Sequence, residues 1–242
     1  LLDSHLPLFY NVNMPLILPE KPGALARDLS KVLGEDKVKS DWATLTAYSV
    51  DASIYKIPPQ VVALPENEDD IDAVVDYAVP RGISLTPRAA GTNLTGSAIG
   101  SGIIVDISKM NRILEVNSEE AWARIQPGLT LTEINKRLAP TGLMFGPDPS
   151  SGDMCKLGGM LANNSSGPHT LRYGSVKDNV HQLRIRLLTE GWLDAESVEI
   201  GSSRFTALLD RYGSLRTVWN MIQKNQALIQ EKRPRVSKNS SG

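Results

Sequence analysis

The sequence predicts an α+β fold of two small α/β lobes with a ligand site between them. Three observations predict it. Short apolar runs of strand length at 61–64, 83–86 and 103–107 alternate with one amphipathic helical stretch in the first half. A second set of strands and helices follows Lys109-Met-Asn-Arg112. Each half also carries a glycine-rich segment, Pro87–Gly102 in the first and Pro147–Gly174 in the second.

The elements follow in order. Residues 15–34 read as a helix, with Pro22 early, Ala24, Leu25, Leu29, Val32 and Leu33 as its apolar face, and Gly34 as its stop. Val61–Leu64 reads as a strand. Asn67 then caps a helix whose first turn holds Glu68, Asp69 and Asp70, where carboxylates favour the dipole. Ile71, Val74, Val75, Ala78 and Val79 form its apolar stripe, and Pro80 and Gly82 end it. Strands at 83–86 and 103–107 complete a β-α-β sheet around the first glycine-rich loop.

In the second lobe, residues 123–126 read as a strand turned by Pro127-Gly128. Thr130 and Glu133 make a capping box for a helix carrying Leu131, Ile134 and Leu138. Gln182–Leu187 alternates as a half-buried strand does, and Glu190-Gly191 reads as a turn. Residues 203–231 read as two helices split at Gly213, with Leu215, Val218, Trp219 and Ile222 as a packing stripe. The expected organisation is a helical segment at 1–38, a first lobe at 39–108, a second at 109–200 and a helical segment at 201–242.

Composition narrows the function. With 26 basic and 27 acidic residues the net charge is −1, which makes no electrostatic case for nucleic acid or a membrane surface. No apolar run approaches the roughly 20 residues needed to cross a bilayer. The start has neither an initiator Met nor a basic-then-apolar signal pattern. The single Cys155 leaves no internal disulfide and no Cys-based iron–sulfur site in this chain. That fits a reducing compartment, so the expected location is cytoplasmic, with peripheral attachment to a membrane left open. No metal site is expected.

Pro87–Gly102 reads PRAAGTNLTGSAIGSG, with Gly91, Gly96, Gly100 and Gly102 among small polar residues. Glycine permits positive φ and close approach, and successive N–H groups turned one way make an anion site. Two common nucleotide motifs fail here. Ser97 stands where a P-loop needs Lys, and Gly100-Ser-Gly102 opens a strand rather than a helix. The other reading is a surface loop joining two strands. The second segment pairs Gly158-Gly159 with the small polar run Ala162–Gly167. Together the two suggest one long polyanionic ligand clasped from both sides.

Arg88-Ala-Ala-Gly91-Thr92-Asn93, then Gly158-Gly159 and Asn164–Gly167, then Tyr173-Gly174-Ser-Val-Lys-Asp178-Asn-Val180 form an ordered series. Tyr48-Ser-Val-Asp51-Ala-Ser53-Ile-Tyr55, Pro59 and Val61-Val-Ala-Leu-Pro65 precede it. The series resembles the FAD-binding domain of the vanillyl-alcohol oxidase / p-cresol methylhydroxylase (PCMH-type) superfamily, over roughly residues 40–200. Its Asn-Asn-Ser-Ser-Gly-x-His form is similar to the D-lactate dehydrogenase / glycolate oxidase branch of FAD-linked oxidases, in particular the long members with a C-terminal iron–sulfur region. There are departures. Ala89 and Ala90 stand for usual glycines, which is tolerable at negative φ. Ser166 replaces a usual Cys or Gly. The first loop has no His, so no His–flavin bond forms there.

The resemblance implies non-covalent FAD held between two lobes. It assigns cofactor contact to Pro87, Arg88, Ala89, Ala90, Gly91, Thr92, Asn93, Leu94 and Ser97. In the second segment it assigns Pro147, Asp148, Gly158, Gly159, Asn163, Ser165, Ser166, Gly167 and His169. The implied reaction is oxidation of a D-2-hydroxy acid such as lactate, glycolate or 2-hydroxyglutarate by hydride transfer to FAD. Electrons would pass to an iron–sulfur region, quinone or carrier outside this chain. Substrate and electron-transfer domains are expected after Gly242 or in a partner subunit, with the base and the carboxylate-binding cations there. Alternatives are a UDP-N-acetylenolpyruvoylglucosamine reductase-like flavoenzyme, a non-catalytic FAD-binding subunit, and a plain α/β interaction domain.

No catalytic residue is assigned. The chain has His5, His169 and His181. His169 could approach the flavin or shape its own loop, and His181 opens a strand. Arg88 and Arg172 flank the loops and fit either a phosphate or solvent. Tyr48 and Asp51 read as hydrogen-bonding anchors, and Cys155 as a small packed residue. Asn93, Asn163 and Asn164 match glycosylation triplets but sit in the cofactor loops, where they are expected to donate to the cofactor.

Overall fold

Buried β-branched runs build the first sheet. In the computed structural model, which describes residues 23–235, four strands run in the order β1 (Val38–Lys39), β2 (Val61–Ala63), β4 (Ile103–Asp106), β3 (Leu85–Arg88). β2, β4 and β3 are parallel, and β1 pairs antiparallel with β2. Val61 lies beside Ile103, and Ile103 beside Leu85. β2 and β4 are buried throughout, which is why they read as continuous apolar runs rather than alternating ones.

Helices α1 (Ala24–Leu33) and α3 (Glu68–Ala78) cover the sheet. Their Ala26, Leu29, Leu33, Val74 and Ala78 form one core with Val38, Val61, Ala63, Ile103 and Val105. The described part of the 1–38 segment therefore shares the first lobe's core, and the expected boundary at 38/39 passes through β1. Residues 15–22 of the expected first helix lie outside the described residues. Asn67 caps α3 by accepting from the Asp70 N–H at 2.9 Å, and Gly82 turns the chain out with φ 63°. A short helix not expected from the sequence, α2 (Trp42–Tyr48), leads toward the first glycine-rich loop.

The second lobe is built on two separate hairpins. β5 (Ile113–Asn117) pairs with β6 (Trp122–Ile125), and β7 (Gln182–Leu187) with β8 (Gly191–Glu196). Helix α4 (Leu131–Leu138) starts with the expected capping box, Thr130 and Glu133 each bonding the other's backbone. Its Ile134 and Leu138 pack with Leu129 and Leu157. The glycine-rich second segment is partly helical, as α5 (Leu157–Ala162) and α6 (Thr170–Tyr173). Leu157 and Met160, one turn apart, are buried beneath α5, and that burial overrides the low helix propensity of Gly158-Gly159. The chain then forms α7 (Ser203–Arg211), α8 (Gly213–Lys224) and α9 (Gln226–Lys232), so the expected break at Gly213 is followed by another at Asn225. Among the described residues no helix is long and apolar enough to cross a membrane.

The sheet centre should dominate the first lobe's stability. Ile103 is fully buried between β2 and β3, whereas Ile54 is 93% exposed. Ile103→Ala should cost about 2–5 kcal/mol, and Ile54→Ala within roughly 0.5 kcal/mol, in urea unfolding followed by circular dichroism.

Candidate cofactor site

The two glycine-rich segments meet. A β-carbon on Gly159 would lie 3.2 Å from the β-carbon of Ala89, so the first loop and α5 touch where neither carries a larger side chain. Gly158 serves the protein itself. Its missing side chain admits Ile107 and Pro127, and its N–H donates to the Pro127 carbonyl at 2.9 Å.

The first loop is braced from the turn after α2. Asp51 accepts from the Ser53 N–H at 2.9 Å through one oxygen, and from the Asn93 amide at 2.9 Å and the Ala98 N–H at 3.3 Å through the other. Burial works to raise the Asp51 pKa, but these bonds outweigh it and hold the carboxyl below its usual range. Asn93 in turn accepts from Thr95 N and Ser97 N at 3.1 and 2.9 Å. Arg88 Nη1 donates to the Val50 and Ala98 carbonyls at 2.8 and 3.2 Å, and its guanidinium lies over the Tyr48 ring. Tyr48 donates to Asp106, and burial followed by that carboxylate pushes its phenol pKa up. Tyr48 and Asp51 are thus anchors, and Arg88 holds carbonyls of the protein.

What the brace leaves over is backbone. The N–H groups of Ala90, Gly91, Thr92, Asn93 and Leu94 donate to no acceptor among the described residues. Gly91 has φ 67°, while Ala89 and Ala90 avoid positive φ, as their substitution for glycine requires. A run of unbonded N–H groups containing a positive φ is the backbone feature of an anion-binding concavity.

The second segment is fixed from below. Gly167 passes so close to Pro147-Asp148 that a β-carbon there would lie 2.0 Å from the Asp148 carbonyl oxygen. Asp148 accepts from the His169 backbone N–H at 3.2 Å, and its other oxygen meets His169 Nδ1. That His169 contact holds the Asp148 carboxyl below its usual range, and it makes His169 a shaper of its loop. Asn163 donates to the Gly159 carbonyl at 3.0 Å, and Asn164, at φ 43°, accepts from Lys177 N at 2.9 Å. Asn93 and Asn163 therefore each spend an amide N–H on the protein, while Asn164 is tied to it through its carbonyl oxygen. Gly159 N–H and Ser166 N–H donate to no acceptor among the described residues. The Tyr173–Val180 motif is structural: Ser175 and Asp178 cap one another, and Gly174 at φ 74° leaves room for the Asp178 carboxylate.

The other expected residues fall around this frame. Pro147 is buried, Pro87 and Leu94 are exposed, and Thr92, Ser165 and Ser166 are half-buried. Cys155 packs with Leu131, Met160 and Val176, and burial pushes its thiol pKa up, so it is not a reactive thiolate. Arg172 lies over the Tyr173 ring. A cavity of about 300 Å³ is lined by Leu161 of α5 with Lys177, His181, Leu183 and Glu196, and by no residue of the first loop.

These residues fit FAD. Backbone donors on both segments suit a pyrophosphate, and the nearby carboxylates of Asp51 and Asp148 are already matched. Gly91→Val should nearly abolish FAD binding, because it opposes the φ of 67° and drives a side chain to 2.6 Å from Arg88 Nη2. Normal flavin absorbance in a folded Gly91→Val protein would remove the loop from the site. Asp148→Asn should weaken FAD binding by a smaller factor, read in the same titration.

A family model described as an FAD binding domain matches residues 59–193. The chain is 34% identical over 212 residues to the D-2-hydroxyglutarate dehydrogenase of Pseudomonas putida, covering 85% of this chain and 21% of that protein. It is 32% identical over 152 residues to the glycolate oxidase subunit GlcD of Escherichia coli, covering 62% of this chain and 30% of that one. A solved alkyldihydroxyacetonephosphate synthase superposes with a TM-score of 0.70 at 25% identity, over 79% of this chain and 38% of that chain. The chain thus spans about a fifth of the dehydrogenase's length. The matched region contains both glycine-rich segments and the Tyr173–Val180 motif. The chain belongs to the FAD-binding domain family of PCMH-type FAD-linked oxidases.

Proposed function

We propose that this chain holds FAD between the Pro87–Ser97 loop and the Pro147–His169 segment, within a flavoenzyme that oxidises a D-2-hydroxy acid. The observation that carries the cofactor placement is the approach of Gly159 to Ala89, with unbonded N–H groups on both segments. Relatives named for 2-hydroxyglutarate and glycolate support the substrate class. Bound FAD supplies a hydride acceptor at N5. The N–H groups of 90–94 and those of Gly159 and Ser166 bind the pyrophosphate. Asp51 and Arg88 keep the first loop in shape, and Asp148 with His169 does the same for the second.

The chain's residues bind and orient; they do not supply the acid–base step. His169, which lies in the second segment, is engaged by Asp148. Substrate and electron-transfer domains, or a partner subunit, complete the site in this reading and carry the base and the cations for the substrate carboxylate.

Two outcomes follow. Cofactor released from the purified protein and compared with standards should be FAD and not FMN, because donors on both segments match a pyrophosphate; recovery of FMN would overturn the placement. The FAD-loaded chain should reduce a dye with D-lactate, glycolate or D-2-hydroxyglutarate at least about 10²-fold more slowly than the Pseudomonas putida dehydrogenase with D-2-hydroxyglutarate, since general-base catalysis contributes about that much. A comparable kcat would move catalysis onto His169 and its neighbours.

A further inference from the structure

The seam that joins the lobes away from the glycine-rich segments is ionic. α3 carries Glu68, Asp72 and Asp76 at i, i+4 and i+8, which a helix sets in line at steps of about 6 Å. β7 carries Arg184 and Arg186 at i and i+2, on one face of a strand at a step of roughly 6.6 Å. The spacings match, and the side chains interleave. Arg184 Nε donates to both Glu68 oxygens at 2.8 and 2.9 Å, and its Nη1 to both Asp194 oxygens at 3.0 and 3.1 Å. Arg186 Nε donates to Asp72, and its Nη2 to Asp76 at 3.0 Å. Trp192 Nε1 of β8 takes the other Asp72 oxygen at 3.0 Å, and the Arg184 guanidinium stacks on the Trp192 ring.

The two arginines differ in shielding. The Arg186 side chain is 12% exposed and that of Arg184 44%. Burial works to raise the Asp72 pKa, but the Trp192 and Arg186 bonds outweigh it and hold the carboxyl low.

We propose that Arg184 and Arg186, against Glu68, Asp72 and Asp76, form an interlobe latch that sets the gap between the two glycine-rich segments and so tunes affinity for FAD. The proposal rests on the placement of FAD between those segments. α3 and the first loop are carried by one sheet, since α3 leads from β2 to β3 and the loop begins where β3 ends. β7 belongs to the second lobe and follows the second segment. A ligand that touches both bodies binds more tightly when they are already held in the binding arrangement, because less binding energy goes into ordering them. Arg184, Arg186 and their acidic partners are positioning residues that act through the lobes and touch no cofactor atom.

The test is FAD titration by quenching of flavin fluorescence, at a temperature where circular dichroism shows every protein folded, in low and high salt. Arg186→Gln should raise the Kd about tenfold and Arg184→Gln about threefold, the shielded pair having the larger effect and only part of its loss reaching the cofactor. High salt should weaken the parent and reduce the Arg184→Gln difference, because the exposed rung is screened. The swap Asp72→Arg with Arg186→Asp should recover part of the affinity. If Arg186→Gln fails to fold, Arg184→Gln and Asp76→Asn, on the exposed side, carry the test. Folded variants with lowered thermal stability but unchanged Kd would overturn the latch. A parent chain that binds no FAD would overturn the placement of the cofactor, a result distinct from equal binding by parent and variants.

Discussion

The close approach of Ala89 to Gly159 is the constraint on which the rest of the molecule depends. Each residue comes from a different lobe, and a β-carbon on Gly159 would be crowded at 3.2 Å from that of Ala89. The unbonded N–H groups beside this contact belong to half-buried or exposed residues, where a ligand or water can meet them. The braces around them follow from that. Asp51 and Arg88 occupy the first loop's side chains and carbonyls, and Asp148 and Gly167 fix the second segment. Each brace satisfies protein groups and leaves main-chain donors without an acceptor among the described residues.

This division of labour needs no surplus of basic residues. A pyrophosphate in such a site is met by fixed backbone dipoles rather than by lysines. The net charge of −1 is therefore no obstacle to an anionic cofactor. It also explains why the arginine nearest the loop is turned inward. Arg88 serves two carbonyls and an aromatic ring, and a rigid loop contributes more to binding than one mobile cation would.

Much of the frame was legible in the sequence. The buried runs at 61–64 and 103–107, the Asn67 cap, the Thr130–Glu133 capping box and the break at Gly213 each rest on a local signal, and each is in the structure. The positive φ at Gly91, with Ala89 and Ala90 outside that region, was readable from the order of the residues. What escaped reading depends on tertiary contact. α5 carries in its first turn a Gly-Gly pair that no propensity favours, and the burial of Leu157 and Met160 holds it as a helix. Nothing local shows that Asn93 and Asn163 each donate to Asp51 and the Gly159 carbonyl, or that Asn164 accepts from Lys177 N. Gly158 looks like a phosphate contact until Ile107 and Pro127 fill its space. The acidic stripe of α3 was read only for its first turn, although the spacing of 68, 72 and 76 and the pair 184 and 186 stood in the sequence. Their match becomes visible once β7 is laid against the helix.

The most direct measurement is a crystal structure of the chain with FAD bound. The pyrophosphate oxygens should lie within the usual 2.7–3.2 Å of N–H groups from both segments, among Ala90 to Leu94 on one side and Gly159 or Ser166 on the other. A cofactor reached by one segment alone, or separated from Gly159 by more than a single bridging water, would contradict the account.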